Sequence, residues 1–338
     1  MKKLISSLLV IVMVLSVFTL AGCSKKEGAS GEEQLTVCVV VSSAFGDKSF
    51  NDSSKEGADK LAEDFGVKVT TIECQGERFK QSMMDAAEAS DIVVLVGWEF
   101  FEVGEVAKEY PDTKFIWVDN PVDGIEDLPN VICITYAQNE GAFLAGYIAA
   151  KTSKSGVVGA VGGEDSNVIN DFLVGYEQGA KYADPDVKFV KNYANDYEDP
   201  AKGKECALAL HDQGADVVFQ VAGNTGNGVF AAAKEAGFYA IGVDQDQKIT
   251  AAEYDEQIIC SMKKEVGTSI YDAIKAFVED ETWEGGRIWT VDMSSGYISI
   301  VYGGEDSVQQ VPDELKAEVE EIAAQIVAGE IKVETTRQ

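Results

Sequence analysis

The amino-acid sequence predicts an α/β protein of two lobes, each a parallel sheet flanked by helices, with a ligand cleft between them. Three observations carry that prediction. Short β-branched runs alternate with segments of 10 to 17 residues that have helical spacing, the pattern of parallel strands joined by crossover helices. Eleven such runs follow Leu35, more than one sheet of usual size takes up. After VICITY (131–136) the strand-loop-helix order begins again, which places the change of lobe there.

Before that point the strand candidates are VCVVV (37–41), VKVTTIEC (67–74), DIVVLVG (91–97), KFIWVD (114–119) and VICITY itself. After it come GVVGAVGG (156–163), VKFVKNY (187–193), ADVVFQVAG (215–223), YAIGVD (239–244), IICSM (258–262) and YISIVYG (297–303). The last helix has the clearest signature. Pro312 sits at a first-turn position, Asp313 and Glu314 favour the positive helix end, and Leu315, Val319, Ile322 and Ile326 share one face before Gly329 ends it. The expected lobes are 35–136 with 263–285, and 137–262 with 286–338.

The N-terminus has a different character. Lys2 and Lys3 precede an apolar run from Leu4 to Leu20, which closes on Leu20-Ala21-Gly22-Cys23. Small residues before a cysteine suit a signal peptidase, so residues 1–22 are expected to be a removable lipoprotein signal peptide and Cys23 the lipid attachment site. The competing reading is a transmembrane helix, but the cysteine stands where cleavage needs it. Residues 23–34 then form a lipidated flexible tether, because 24–34 hold no large apolar side chain. The membrane is engaged through the lipid only, and the globular part faces outward.

Composition narrows the partners. The formal charge is −30, and loss of Lys2 and Lys3 with the signal peptide takes it to −32, which repels nucleic acid and anionic lipid. Cys38, Cys74, Cys133, Cys206 and Cys260 are widely spaced, without CxxC, and read as free thiols. The one histidine, His211, reads as a solvated helix-end residue and not a ligand or base. No metal, cofactor or catalytic constellation is expected.

Ligands of open parallel sheets bind at the carboxyl ends of strands. The first strand runs into Ser42–Asn51, with Phe45, Asp47 and Phe50; the third ends at Gly97-Trp98-Glu99 and the fourth at Asp119; two later ones end at Gly223-Asn224-Thr225-Gly226 and Asp244-Gln245-Asp246-Gln247. This set is rich in acids and aromatics and poor in bases. Carboxylates accept hydrogen bonds from vicinal hydroxyls, and Phe45, Phe50, Trp98 or Phe172 can stack on a flat ring. The bland alternatives are helix caps for Asp119 and Asp244, ordinary core for Phe50 and Phe172, and a tight turn for Gly223–Gly228.

At GDKSFND (46–52) the chain resembles the basic membrane protein family of substrate-binding lipoproteins, whose type is the purine nucleoside receptor A group. The similarity continues through EVAKEYPDTKFIWVD (105–119), NEGAFLAGYIAA (139–150), GYEQGAK (175–181), the long run from 199 to 237, YAIGVDQDQ (239–247) and SMKKEVGTSIYDAI (261–274). The resemblance implies a type I periplasmic-binding-protein fold of two Rossmann-like lobes, and delivery of a nucleoside to the permease and ATPase of an ABC importer by a monomer. It makes Asp47 and Asn51 base-contacting, Phe45 and Phe172 aromatic walls, and Asp119 the acid that ends FIWVD. Asp244 would hold the ribose hydroxyls, Gly223 would offer backbone, and Lys264 would match the lysine after the return crossover, with Lys263 adjacent. Gly46 stands where the family usually has another acid, and Gly97-Trp98-Glu99 replaces a more glycine-rich turn.

Two other functions compete. A sugar or autoinducer receptor of the same fold would bind free ribose as well as a nucleoside. A nucleoside-processing enzyme would need clustered aspartates for a cation or a placed general base, and DQD at 244–246 is too little for either. A lipidated tether in place of a helix-turn-helix excludes a regulator.

Overall fold

A computed structural model describes residues 34–74 and 78–336; the expected signal peptide, Cys23 and nearly all of the tether lie outside the described residues. Sheet one contains β1 (Thr36–Val41), β2 (Lys68–Glu73), β3 (Ile92–Val96), β4 (Lys114–Val118), β5 (Val131–Tyr136) and β11 (Arg287–Val291), in the order β11-β5-β4-β3-β1-β2 and parallel throughout. Sheet two contains β6 (Val157–Gly162), β7 (Lys188–Tyr193), β8 (Val217–Val221), β9 (Tyr239–Asp244), β10 (Ile258–Lys264) and β12 (Ile298–Val301). Its order is β12-β10-β9-β8-β6-β7, parallel except for the β10–β12 pair.

The central strands are buried on both faces. Every residue of β3, β5 and β8 is buried, which is why these runs are mostly apolar and do not alternate. The edge strand β2 is largely exposed, and its sequence KVTTIE is correspondingly mixed. The crossover helices of sheet one are α1 (Phe50–Phe65), α2 (Phe79–Ala89) and α3 (Val103–Glu109). Those of sheet two are α5 (Asn167–Ala183), α6 (Pro200–His211), α7 (Asn227–Ala236) and the short α8 (Gln247–Thr250). Local chemistry starts several of them. Ser166 Oγ accepts from the Ile169 N–H to cap α5, and Asp199 accepts from Ala201 and Lys202 to cap α6, which has Pro200 in its first turn.

Three further helices follow crossings between the sheets or close the chain: α4 (Gln138–Thr152) after β5, α9 (Val266–Asp280) after β10, and the C-terminal α10 (Asp313–Val327). On α10 the expected face is buried, with Pro312 one position earlier, as the cap residue. α9 returns to sheet one and lies directly against α1. A Cβ on Gly57 would fall 2.1 Å from the Gly267 carbonyl oxygen, so this approach of two backbones requires glycine.

Two expected boundaries are corrected. Lys263 and Lys264 belong to β10 and pair with β12 in sheet two, and 287–291 forms β11 beside β5 in sheet one. The run RIWTV carries little strand signal because it is an edge strand with only Val291 buried. The chain therefore crosses between sheets near Ala137, near Glu265 and through Asp292–Tyr297. These crossings brace one another: the Ala137 N–H donates to Val291 O at 2.8 Å and the Glu265 N–H to Tyr297 O at 2.9 Å.

Among the described residues the five cysteines are free, and Cys38, Cys133 and Cys260 are buried. His211 ends α6 as expected but is not simply solvated. Its ring stacks on Phe238 at 4.9 Å, and Nδ1 lies 2.9 Å from Ala215 O.

Candidate functional site

Both sheets share the strand order 2-1-3-4-5, counting within each lobe, so each has a switch point between its first and third strands. Loops leaving those strand ends diverge and open a crevice. A cavity of about 330 Å³ lies there, at the lower end of the range for small-molecule sites. All ten residues singled out from the sequence line it: Phe45, Asp47, Phe50, Asn51, Trp98, Asp119, Phe172, Gly223, Asp244 and Lys264.

The centre is charged. Lys264, at the end of β10, is 2% exposed and places Nζ 3.0 and 3.1 Å from the two carboxylate oxygens of Asp119, at the end of β4, and 3.9 Å from Asp244 Oδ1, at the end of β9. The ring centroids of Phe50, Tyr136 and Phe172 lie 4.6, 4.9 and 5.3 Å from the same nitrogen. A buried ammonium survives only with such compensation. Successive strand side chains point to opposite faces, so Lys263 turns away and pairs with Glu265 at 2.5 Å.

Asp119 and Asp244 share an unusual backbone state. Their φ angles are 81° and 63°, in the left-handed region that non-glycine residues rarely adopt. Such strain clusters at ligand sites, where it aims a side chain. Asp244 Oδ2 also accepts a hydrogen bond from Ser49 Oγ at 2.6 Å. Burial raises the pKa of Asp244, opposed by Lys264 and Ser49.

Asp47 and Asn51 are placed differently from the rest. The Asp47 carboxylate accepts from the backbone N–H groups of Ser49 at 3.0 Å, Asn51 at 2.9 Å and Asp52 at 3.1 Å, thereby capping α1. Burial nonetheless pushes it up to about 7. Asn51 Nδ2 donates to Ser43 Oγ and Ala44 O, at 2.9 and 2.8 Å, and holds the preceding loop. Both side chains line the cavity, but their polar atoms chiefly build its wall.

The loop that carries them also reaches sheet two. Lys48, in a left-handed conformation at φ 58°, accepts at its carbonyl from Gln247 Nε2 and Thr250 Oγ1, both at 3.1 Å, while its Nζ meets Glu253 at 2.5 Å. Asn227 Nδ2 donates to Asp47 O at 3.2 Å. The lobes are thus latched along one side of the cavity.

Tyr197 was not singled out in advance, yet it lines the cavity beside Gly223, whose φ is 54°. The Thr225 N–H donates to Tyr197 O at 3.1 Å, which ties the two loops together. An aromatic within DYEDP after a strand was the available signal. Val168 and Ile169 at the start of α5 complete the apolar wall near Phe172. Among the described residues no cluster of His, Cys, Asp and Glu has a metal-site arrangement.

Residues 34–337 match the family described as Bmp, ABC transporter substrate-binding protein PnrA-like. The chain belongs to this family. Basic membrane protein A2 of Borrelia garinii subsp. bavariensis is 34% identical, covering 88% of this chain and 87% of its own length. Basic membrane protein A of Borreliella burgdorferi is 31% identical, with 98% and 97% covered. Among solved structures, an ABC transporter solute-binding protein from Aeropyrum pernix K1 superposes with a TM-score of 0.81 at 28% identity, over 90% of this chain and 94% of that one. A solute-binding protein from Actinobacillus succinogenes 130z with bound D-allose shares the fold at a TM-score of 0.61 and 15% identity, over 80% of this chain and 98% of that one.

This Bmp-family chain therefore has the type I periplasmic-binding fold expected from its sequence and is the substrate-binding protein of an ABC transporter. Such proteins bind small molecules and present them to a permease, and the family is extracytoplasmic. Its relatives are binding proteins and not enzymes. Among the described residues, no helix is long and apolar enough to cross a membrane.

Proposed function

We propose that the protein captures a nucleoside, with a purine base, in the cavity between its lobes and delivers it to the importer. The observation that carries this reading is the presence in one cavity of an acid-and-lysine centre and several aromatic rings. Asp244, Asp119 and Lys264 offer acceptors and a donor to ribose hydroxyls, while Phe45, Phe50 and Phe172 bound a space for a flat base. A ligand that bonds acids from both lobes draws them together, so binding shifts the open-closed equilibrium towards the closed form. Micromolar binding requires about 8 kcal/mol, within reach of several buried hydrogen bonds and one stacked base.

In this reading the monomer is held outside the membrane by a lipid on Cys23, engages the bilayer through that lipid alone and has no nucleic-acid partner. Residues 24–34 would then link the lipid to the domain. Calorimetric titration of the full chain in detergent, with inosine, guanosine, adenosine, uridine and ribose, tests the ligand. Saturable purine nucleoside binding with no response to ribose is expected. Ribose binding as tightly as inosine would make the protein a sugar receptor, and free base released from inosine would make it an enzyme.

A further inference from the structure

One end of the cavity presents two polar atoms that remain open although Ser42 and Tyr197 stand beside the residues that carry them. The turn after β3 places Trp98 Nε1 and Glu99 Oε2 against the cavity, both buried and both without a hydrogen-bond partner. One is a donor that cannot accept; the other, when ionised, is an acceptor that cannot donate. Buried polar groups are almost always paired, so an adjacent donor and acceptor left open in a binding cavity describe the missing edge of a ligand.

The turn is built to hold them there. Gly97 has φ 130°, and a Cβ on it would lie 2.5 Å from both Glu99 Oε2 and Ser42 Oγ. Glycine is therefore what lets the carboxyl fold back against the end of β1. Burial pushes the Glu99 carboxyl up to about 7 against hydrogen bonds from its own backbone N–H and the Ser42 hydroxyl, and the nearby acids Glu164 and Asp119 push the same way. Oε2 nonetheless remains open, and the group that completes it comes with the ligand as an N–H or O–H donor. Asp47 and Asn51 do not compete for this role, since their polar atoms hold the 42–52 loop.

Resting on the nucleoside reading above, we infer that Trp98 and Glu99 select the lactam edge of a 6-oxopurine. The indole N–H donates to O6, and the Glu99 carboxylate accepts from the neighbouring ring N1–H. Adenine turns an N1 lone pair towards the same group, so above pH 7, where Glu99 is ionised, the pairing is repulsive and a bond is lost. Glu99 and Trp98 are thus specificity-determining residues for the base, while Phe50, Phe172, Asp244 and Lys264 hold parts that all nucleosides share.

The test is calorimetry on the full chain with inosine, adenosine and purine riboside, which has neither O6 nor a ring N–H, for the wild type and for Glu99→Met, Glu99→Gln and Trp98→Phe. The wild type should prefer inosine over the other two by roughly 10- to 100-fold. Glu99→Met should erase most of that preference by weakening inosine and leaving adenosine within about threefold. Trp98→Phe should weaken inosine about tenfold while adenosine changes less. Glu99→Gln supplies an N–H opposite adenine N1 and should move the preference towards adenosine. Thermal unfolding monitors folding, and Glu99→Met, which removes a poorly compensated buried acid, should raise the midpoint. An unchanged inosine-to-adenosine ratio in Glu99→Met, or a wild type that prefers adenosine, overturns this inference alone. Absence of binding to any nucleoside overturns the reading beneath it.

Discussion

Lys264 and Asp119 form a buried ion pair drawn from opposite lobes, with Nζ 3.0 and 3.1 Å from the two carboxylate oxygens. β4 carries the acid in sheet one and β10 the lysine in sheet two. The pair spans the ligand cavity and draws the lobes together.

Removing one partner strands the other. Lys264→Met leaves Asp119 and Asp244 facing each other without a cation, and a broken buried pair costs about 3–5 kcal/mol. Urea unfolding should show that loss. Adding Asp119→Asn should restore most of the stability, while nucleoside affinity stays low because the polar groups that meet the ligand are gone. A double variant that binds as well as the wild type would remove Lys264 and Asp119 from the site.

Ser49 holds Asp244 from the other lobe at 2.6 Å. Ser49→Ala leaves that buried carboxylate one donor short, at a cost of about 1–3 kcal/mol. The closed arrangement bears this cost, so small-angle scattering of the ligand-free variant should shift towards a larger radius of gyration. Saturating ligand should reverse the shift, and an unchanged radius would assign the contact to local structure only.

The acids of the cavity make stability depend on pH in an unusual direction. Burial pushes Asp47 and Glu99 up to about 7, so between their unfolded values near 4 and pH 7 the folded state binds more protons than the unfolded one. Stability therefore falls as pH rises through that window. Ligand-free protein should be more stable at pH 5.5 than at pH 8 by roughly 2–4 kcal/mol. Differential scanning calorimetry measures this, and Glu99→Gln should flatten part of the slope. A midpoint that rises with pH over this range would contradict the burial of these groups.

Much of this arrangement was legible in the sequence because parallel strands and their ends leave strong marks. Buried strands such as IVVLV (92–96) and VVFQV (217–221) are covered on both faces and mostly apolar, and the acids and aromatics that follow them fall at the crevice. Edge elements are less distinct. β11, with one buried residue, and Tyr197, beyond the partly exposed β7, lacked the apolar density that marks a central strand. The division of labour within the 42–51 loop was also hidden. The resemblance implies that Asp47 and Asn51 contact the base, but only the backbone geometry shows that Asp47 caps α1 and Asn51 braces the loop.

The proposed lipid on Cys23 makes the last prediction, and it separates capture from delivery. Cys23 precedes the compact unit from Leu35 onward by about a dozen positions in the sequence, and in the proposed reading its acylation has no route to the cavity. Cys23→Ala should leave nucleoside affinity within about twofold by calorimetry, since no residue of the cavity changes. Uptake of labelled nucleoside by cells should fall steeply, because a freely diffusing receptor loses the high local concentration that a tether provides near the permease. Affinity that falls together with uptake would mean that the N-terminal segment shapes the binding domain itself. Uptake that persists after the receptor has left the membrane would mean that docking on the permease is tight enough to need no tether.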